Sequence, residues 1–117
     1  AGNSAKEGLD YPAAYNGVLA VANVNSSDIK ASSSSYGFDV DIAAPGQNIW
    51  STLNNNTYGT KSGTSMATPL VSSAAALVAA KYPQLSGPAI GEILRLSTDN
   101  IYTLSGNSNF VNKLGKG

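Results

Sequence analysis

Gly63-Thr64-Ser65-Met66-Ala67-Thr68-Pro69 is the segment of this sequence best suited to chemistry. A loop carrying glycine there meets the start of a long apolar run, and Ser65 stands at the join. If the run is a helix, Ser65 has unpaired N–H groups beside it and lies at the positive end of the helix dipole. Both favour negative charge, such as that of a tetrahedral oxyanion. Gly63 permits close approach of a substrate backbone. Pro69 is expected in the first helical turn, where its missing N–H costs nothing. These features suit attack by a serine hydroxyl on an acyl carbon. A Gly-Thr-Ser before a helix also reads as a plain N-cap, and the segment by itself does not separate the two.

A serine nucleophile needs a base to take its proton, and in a Ser-His-Asp mechanism the base is an imidazole. The 117 residues contain no histidine and no cysteine. The chain therefore has no such base of its own, and disulfides and cysteine-bound metals are excluded. Seven basic and seven acidic residues cancel, with no charge run to attract nucleic acid or an anionic membrane surface. Charged residues are only 12% of the chain, about half the usual share, so some faces are expected to be covered by protein outside it. A hydrophobic share of 42% fits one small globular unit with a modest core.

The elements that must position Ser65 follow from pattern. Val18-Leu19-Ala20-Val21-Ala22 reads as a strand buried on both faces, the kind found in parallel sheets. Asp39 to Ala44 reads as a second strand stopped by Pro45-Gly46, and Ile49 to Leu53 as a short third. The serine-rich stretch between Asn25 and Gly37 reads as irregular chain, and Asn54-Asn55-Asn56 with Tyr58-Gly59 as turn chemistry. Met66 to Ala80 carries no charge and predicts a helix apolar on all sides, hence buried; Pro69 and Ser72-Ser73 argue against a membrane span. Lys81-Tyr82-Pro83 ends it. Ser86 then reads as the N-cap of a second helix over residues 87–97, with Ile90, Ile93 and Leu94 as its apolar stripe.

Read as a whole, the sequence resembles the subtilase family of serine proteases. Residues 63–69 resemble its serine signature. Ala1-Gly2-Asn3 is similar to its segment bearing the oxyanion-hole asparagine. Tyr11-Pro12-Ala13-Ala14-Tyr15 with Val18 to Val21, then Tyr36-Gly37 to Gly46, follow in the family's order, as do Tyr82 to Leu94 and Leu114-Gly115-Lys116-Gly117. The resemblance covers nearly the whole chain. It implies an α/β fold: parallel strands covered by helices, the C-terminal half of a three-layer α/β/α domain, with residues 1–117 truncated at both ends. By the same resemblance Ser65 is the acylated nucleophile, and Asn3 donates its amide to the oxyanion beside the N–H of Ser65. Ala1, Gly2 and Thr64 fall along the substrate, and Asp10 at the base of the pocket for the residue before the scissile bond. A carboxylate there favours Lys or Arg by charge pairing; the residues by themselves favour Asp10 as a solvated or turn-capping loop residue.

The family's catalytic aspartate and histidine lie earlier and are absent here. The resemblance thus implies a peptide or protein substrate and, as partner, the missing N-terminal half, with the isolated chain inactive. It implies no cofactor for the chemistry, allows structural calcium elsewhere in the parent, and points to a secreted or cell-envelope location. Asp39 and Asp41 share a strand face and read as hydrogen-bonding to loop backbone rather than holding calcium, which takes six to eight oxygens. Leu70 replaces a common histidine after Pro69, and Ser73 a common glycine, both affecting packing. Asn25-Ser26-Ser27 and Asn55-Asn56-Thr57 fit a frequent glycosylation pattern. Two rival readings are a non-catalytic structural or binding module and an esterase, the second weakened because Ala67 breaks the G-x-S-x-G pattern. Apolar surface bared by the missing half is expected to drive self-association.

Overall fold

A computed structural model describes residues 1–117. Two parallel strands form its centre: β1, Val21–Val24, and β2, Ile42–Pro45, paired from Val21 opposite Ile42 to Val24 opposite Pro45. Their side chains alternate between two cores. Ala22 and Val24 face one with Ala1, Val40, Ile101 and Leu114; Val21, Ile42 and Ala44 face the other with Ala67, Val71 and Leu94. The near-continuous apolar character of these strands follows from this double burial.

Both strands start later than the pattern predicts, at Val21 rather than Val18 and at Ile42 rather than Asp39. The cause is a side chain. Asp41 Oδ2 accepts the Ala20 N–H at 2.8 Å, replacing a ladder bond at the sheet entrance. Its other oxygen lies 3.4 Å from Arg95 Nε. Asp41 therefore bonds to backbone, as read from the sequence, while Asp39 is exposed. The third strand, β3, matches its predicted range, Ile49–Leu53. Tyr58-Gly59, expected in a turn, instead belongs to β4, Thr57–Lys61, antiparallel to β3. Asn55 and Asn56 take the reversal at positive φ, so the turn ends at Asn56 and the strand resumes at Thr57.

The long helix, α1, runs Thr64–Lys81, and the second, α2, runs Gly87–Leu96 with Ser86 Oγ accepting the Ala89 N–H at 3.4 Å. Two expectations about α1 are corrected. It starts early enough that Pro69 lies inside it rather than in the first turn, leaving the Ser65 carbonyl without its helical donor. Hydroxyls repair the polar backbone nearby: Thr68 Oγ1 donates to Thr64 O and Ser73 Oγ to Pro69 O. Nor is α1 buried all round. Thr64, Ala67 and Val71 are buried, and Ala74, Ala75 and Val78 pack beside them, but Leu70 and Leu77 are exposed. Within this chain the helix has a bare side.

Both α-helices cover one face of the β1–β2 pair. The other is covered by irregular chain: residues 1–10, the serine-rich segment, and the C-terminal region with its 3₁₀ turns at Ile101–Thr103 and Ser105–Phe110. This region is tied to the strands by Ala43 N–H to Gly117 O at 2.7 Å and by Tyr102, whose hydroxyl donates to Gly115 O and accepts from the Leu114 N–H. No helix is long and apolar enough to cross a membrane.

Burial raises the Tyr102 phenol above its ordinary pKa of 10.0, opposed by the Leu114 N–H. The folded state thus holds this proton more tightly than the unfolded chain. Its contribution is full below the unfolded value and is lost as pH rises through the folded one. Thermal melts above about pH 10 should therefore show stability falling more steeply with pH than in Tyr102→Phe. Parallel curves for the two proteins would remove Tyr102 from the alkaline transition.

Candidate functional site

The chain enters α1 through Gly63, whose φ of 149° is open to glycine but strained for other residues. The entry is held by Gly63 N–H to Gly46 O at 2.8 Å and by Asn48 N–H to Ser62 Oγ at 2.9 Å, which close the base of the β3–β4 hairpin. Ser65 is exposed in the first turn, as the second helical residue.

Gly63 offers no side chain to cap the helix. The cap comes from 61 residues upstream: Asn3 Oδ1 accepts the Thr64 N–H at 2.9 Å. Met66 and Ala67 N–H groups turn back onto Gly63 O, at 3.0 and 3.3 Å. The Ser65 N–H is then the first-turn donor left available, and Asn3 still has both amide hydrogens of Nδ2 to give. The entrance to α1 thus collects two uncommitted donors beside an exposed hydroxyl, at the positive end of an 18-residue helix. Such a constellation can hold negative charge on an oxygen while Ser65 attacks.

Asn3 is placed by the serine-rich segment. Ser35 N–H donates to Gly2 O at 2.9 Å, Ala5 N–H to Ser33 O at 2.9 Å, and Gly8 N–H to Tyr36 O at 2.8 Å. Ser35 Oγ accepts the Ser4 N–H at 3.3 Å, and Lys113 Nζ reaches Glu7 at 2.9 Å. Ser34 and Ser35 are wholly buried. Sequence reading treated this stretch as loop and missed its part in the site. No periodicity marks it, because its bonds run through backbone and short hydroxyls.

The other residues singled out from sequence are near Asn3 but contribute unequally. Ala1 is 8% exposed with its methyl in the core, and Thr64 is 5% exposed, so neither offers much side-chain surface to a ligand. The Ala1 nitrogen donates to Val21 O at 2.8 Å. Asp10 N–H donates to Ala1 O at 3.1 Å, closing the loop of residues 1–10. Its carboxylate packs against Gly2, where a Cβ would overlap it, and pairs with Lys6 Nζ at 2.8 Å. Asp10 is therefore both a loop-closing residue and a neighbour of Gly2.

Comparison with known proteins identifies the family. The family model for the subtilase family matches residues 1–117. The thermostable alkaline protease of Halalkalibacterium halodurans is 49% identical over 90 residues, covering 77% of this chain and 25% of that protein. Subtilisin NAT of Bacillus subtilis subsp. natto is 43% identical over 117 residues, covering 97% of this chain and 30% of its own length. Among solved structures, a protease of Pseudoalteromonas arctica superposes with a TM-score of 0.80 at 33% identity, over 84% of this chain and 34% of that one. A cold-adapted subtilisin-like serine proteinase gives 0.76 at 37% identity, over 80% of this chain and 34% of that one. The chain thus spans roughly a third or less of each of these relatives. With a serine at the mouth of a helix capped from afar, and a family match along its full length, the chain belongs to the subtilase family of subtilisin-like serine proteases.

Proposed function

We propose that this chain is the nucleophile-bearing part of a peptide-bond hydrolase. Ser65 forms the acyl-enzyme, and Asn3 Nδ2 and the Ser65 N–H receive the oxyanion. The observation that carries this reading is the Asn3–Thr64 bond: it commits the amide oxygen to the helix and leaves the amide nitrogen for a ligand. The backbones of Ala1, Gly2 and Thr64 flank the substrate. No histidine exists in the chain, so the proton of Ser65 has no imidazole to receive it, and the chain alone is inactive. The base and its aspartate come from a separate segment, the N-terminal half of the domain. The chemistry calls for no cofactor, and we place the parent outside the cytoplasm or at the cell envelope on family grounds.

The bare side of α1 fits this division. Leu70 and Leu77 are exposed, and an apolar groove of about 420 Å³ opens between α1 and α2, lined by Leu19, Val71, Ala75, Ile90 and Leu94. Water-facing apolar area of this kind is a contact surface. In the parent the missing half covers it; in isolation copies of the chain cover it for each other. A purely structural module has no need of a serine and an amide converging in this way, which favours the catalytic reading over that rival.

A fluorophosphonate probe should label Ser65 in the complete enzyme and not in the isolated chain, which should sediment as an oligomer. Labelling of the chain alone, or of neither, would contradict the reading. In the complete enzyme Asn3→Ala should lower kcat by about 10²–10³ with little change in KM. It should also cost about 0.5–2 kcal/mol of stability through the lost helix cap. A kcat within threefold of the parent would take Asn3 out of the oxyanion site. Asp10 is half-exposed and shared with Lys6, so its pull on a basic substrate side chain is worth about 1 kcal/mol at most, or roughly fivefold. Asp10→Gly should reduce the preference for Lys over Phe before the scissile bond by no more than that; an unchanged ratio assigns Asp10 to loop closure alone.

A further inference from the structure

Two asparagine side chains are wholly buried, and they differ in one respect. Asn107 is fully used: Oδ1 accepts the Lys30 N–H at 2.9 Å, and Nδ2 donates to Asp28 O at 2.8 Å and Ile101 O at 3.0 Å. Asn23 is not used at all, since neither Oδ1 nor Nδ2 has a partner. A buried amide left unpaired loses its hydration and gains nothing in return. An apolar side chain of similar size would avoid that loss, so stability does not account for Asn23.

Its location offers an account. Asn23 is in β1 opposite Ala44, and it points toward the turn that enters α1. A Cβ built on Gly46 would stand 2.6 Å from Asn23 Oδ1 and 2.6 Å from the Gly63 carbonyl oxygen. The amide and that carbonyl therefore share the space that the bare Gly46 Cα leaves open. The Gly63 carbonyl is the acceptor for Met66 and Ala67, so its position sets the first turn of α1 and hence where Ser65 stands. As the amide stands, two oxygens face one space with no proton between them. A half-turn of the Asn23 amide exchanges Oδ1 for Nδ2 and supplies a donor there.

Resting on the protease reading above, we infer that Asn23 is a positioning residue for the nucleophile: its amide braces the Gly63 carbonyl from below and fixes the height of Ser65 against the oxyanion donors. Breaking a local rule of polar satisfaction at the edge of a reactive site is where such a cost is retained. The brace acts through the turn, since Asn23 itself is buried and touches no substrate.

The test uses the complete enzyme with two variants. Asn23→Leu fills the same space without polarity. Its kcat and its rate of fluorophosphonate labelling should fall by about tenfold, the worth of one modest hydrogen bond, with KM within twofold. Asn23→Asp is isosteric. Protonated it can still donate; ionised it cannot, and it adds negative charge near the oxyanion. Burial raises that carboxyl's pKa, so kcat relative to the parent should be near one in acid and should drop as pH rises, without a matching drop in melting temperature. Parent-like kcat in the Leu variant, or a pH profile for the Asp variant parallel to the parent's, overturns the inference. If the Leu variant does not fold, the Asp profile alone decides. An unmutated enzyme whose Ser65 cannot be labelled would instead overturn the protease reading, and the two failures are thereby distinct.

Discussion

One hydrogen bond joins the two halves of the site, from the Thr64 N–H to Asn3 Oδ1 at 2.9 Å. A helix start leaves several backbone donors unpaired, and its first turn does not settle until they find acceptors. Most helices solve this locally, with a polar residue at the N-cap. Here the N-cap is Gly63, which has no side chain to offer, and the acceptor arrives from 61 residues away. The bond does two things at once. It completes the helix, and it commits the amide oxygen of Asn3 while leaving its nitrogen uncommitted. Removing the local cap thus makes the helix start depend on the loop that carries Asn3.

The rest of the chain supports that dependence. The loop of residues 1–10 is stitched to Ser33, Ser35 and Tyr36 by backbone bonds and closed on itself between Ala1 and Asp10. Buried Ser34 receives the Asn23 N–H and donates to Ser35 O, tying the serine-rich segment to β1. From the other direction, Gly46 receives Gly63, so the end of β2 and the start of α1 are held in register. Small residues at each of these crossings let backbones approach closely. The lack of bulk that looked like loop composition is what allows the packing.

Low charge and exposed apolar side chains share one explanation. An 18-residue helix with Leu70 and Leu77 in water is a poor solution for a free-standing domain of this size. It is an ordinary one for part of a larger layered domain, in which the same helix is covered on its other side. The relatives it matches are about two and a half to three times as long as this chain. The same holds for the candidate site: an exposed serine and uncommitted donors are present, but no histidine.

What the sequence by itself determined is local in nature. The serine at the head of an apolar run, the strand Ile49–Leu53, the Ser86 cap and the order of motifs all follow from short-range pattern, because capping, periodicity and turn chemistry act within a few residues. The missing histidine likewise needs no structure. Tertiary structure decided what depends on distant partners. The strands begin late because Asp41 takes the Ala20 N–H, and α1 begins early because Asn3 caps Thr64. Asn107 and Asn23 are the same residue, equally buried, yet one is satisfied and the other is not. No local rule separates them, since a hydrogen bond across a fold depends on where the chain returns, and that is settled only when the whole core packs.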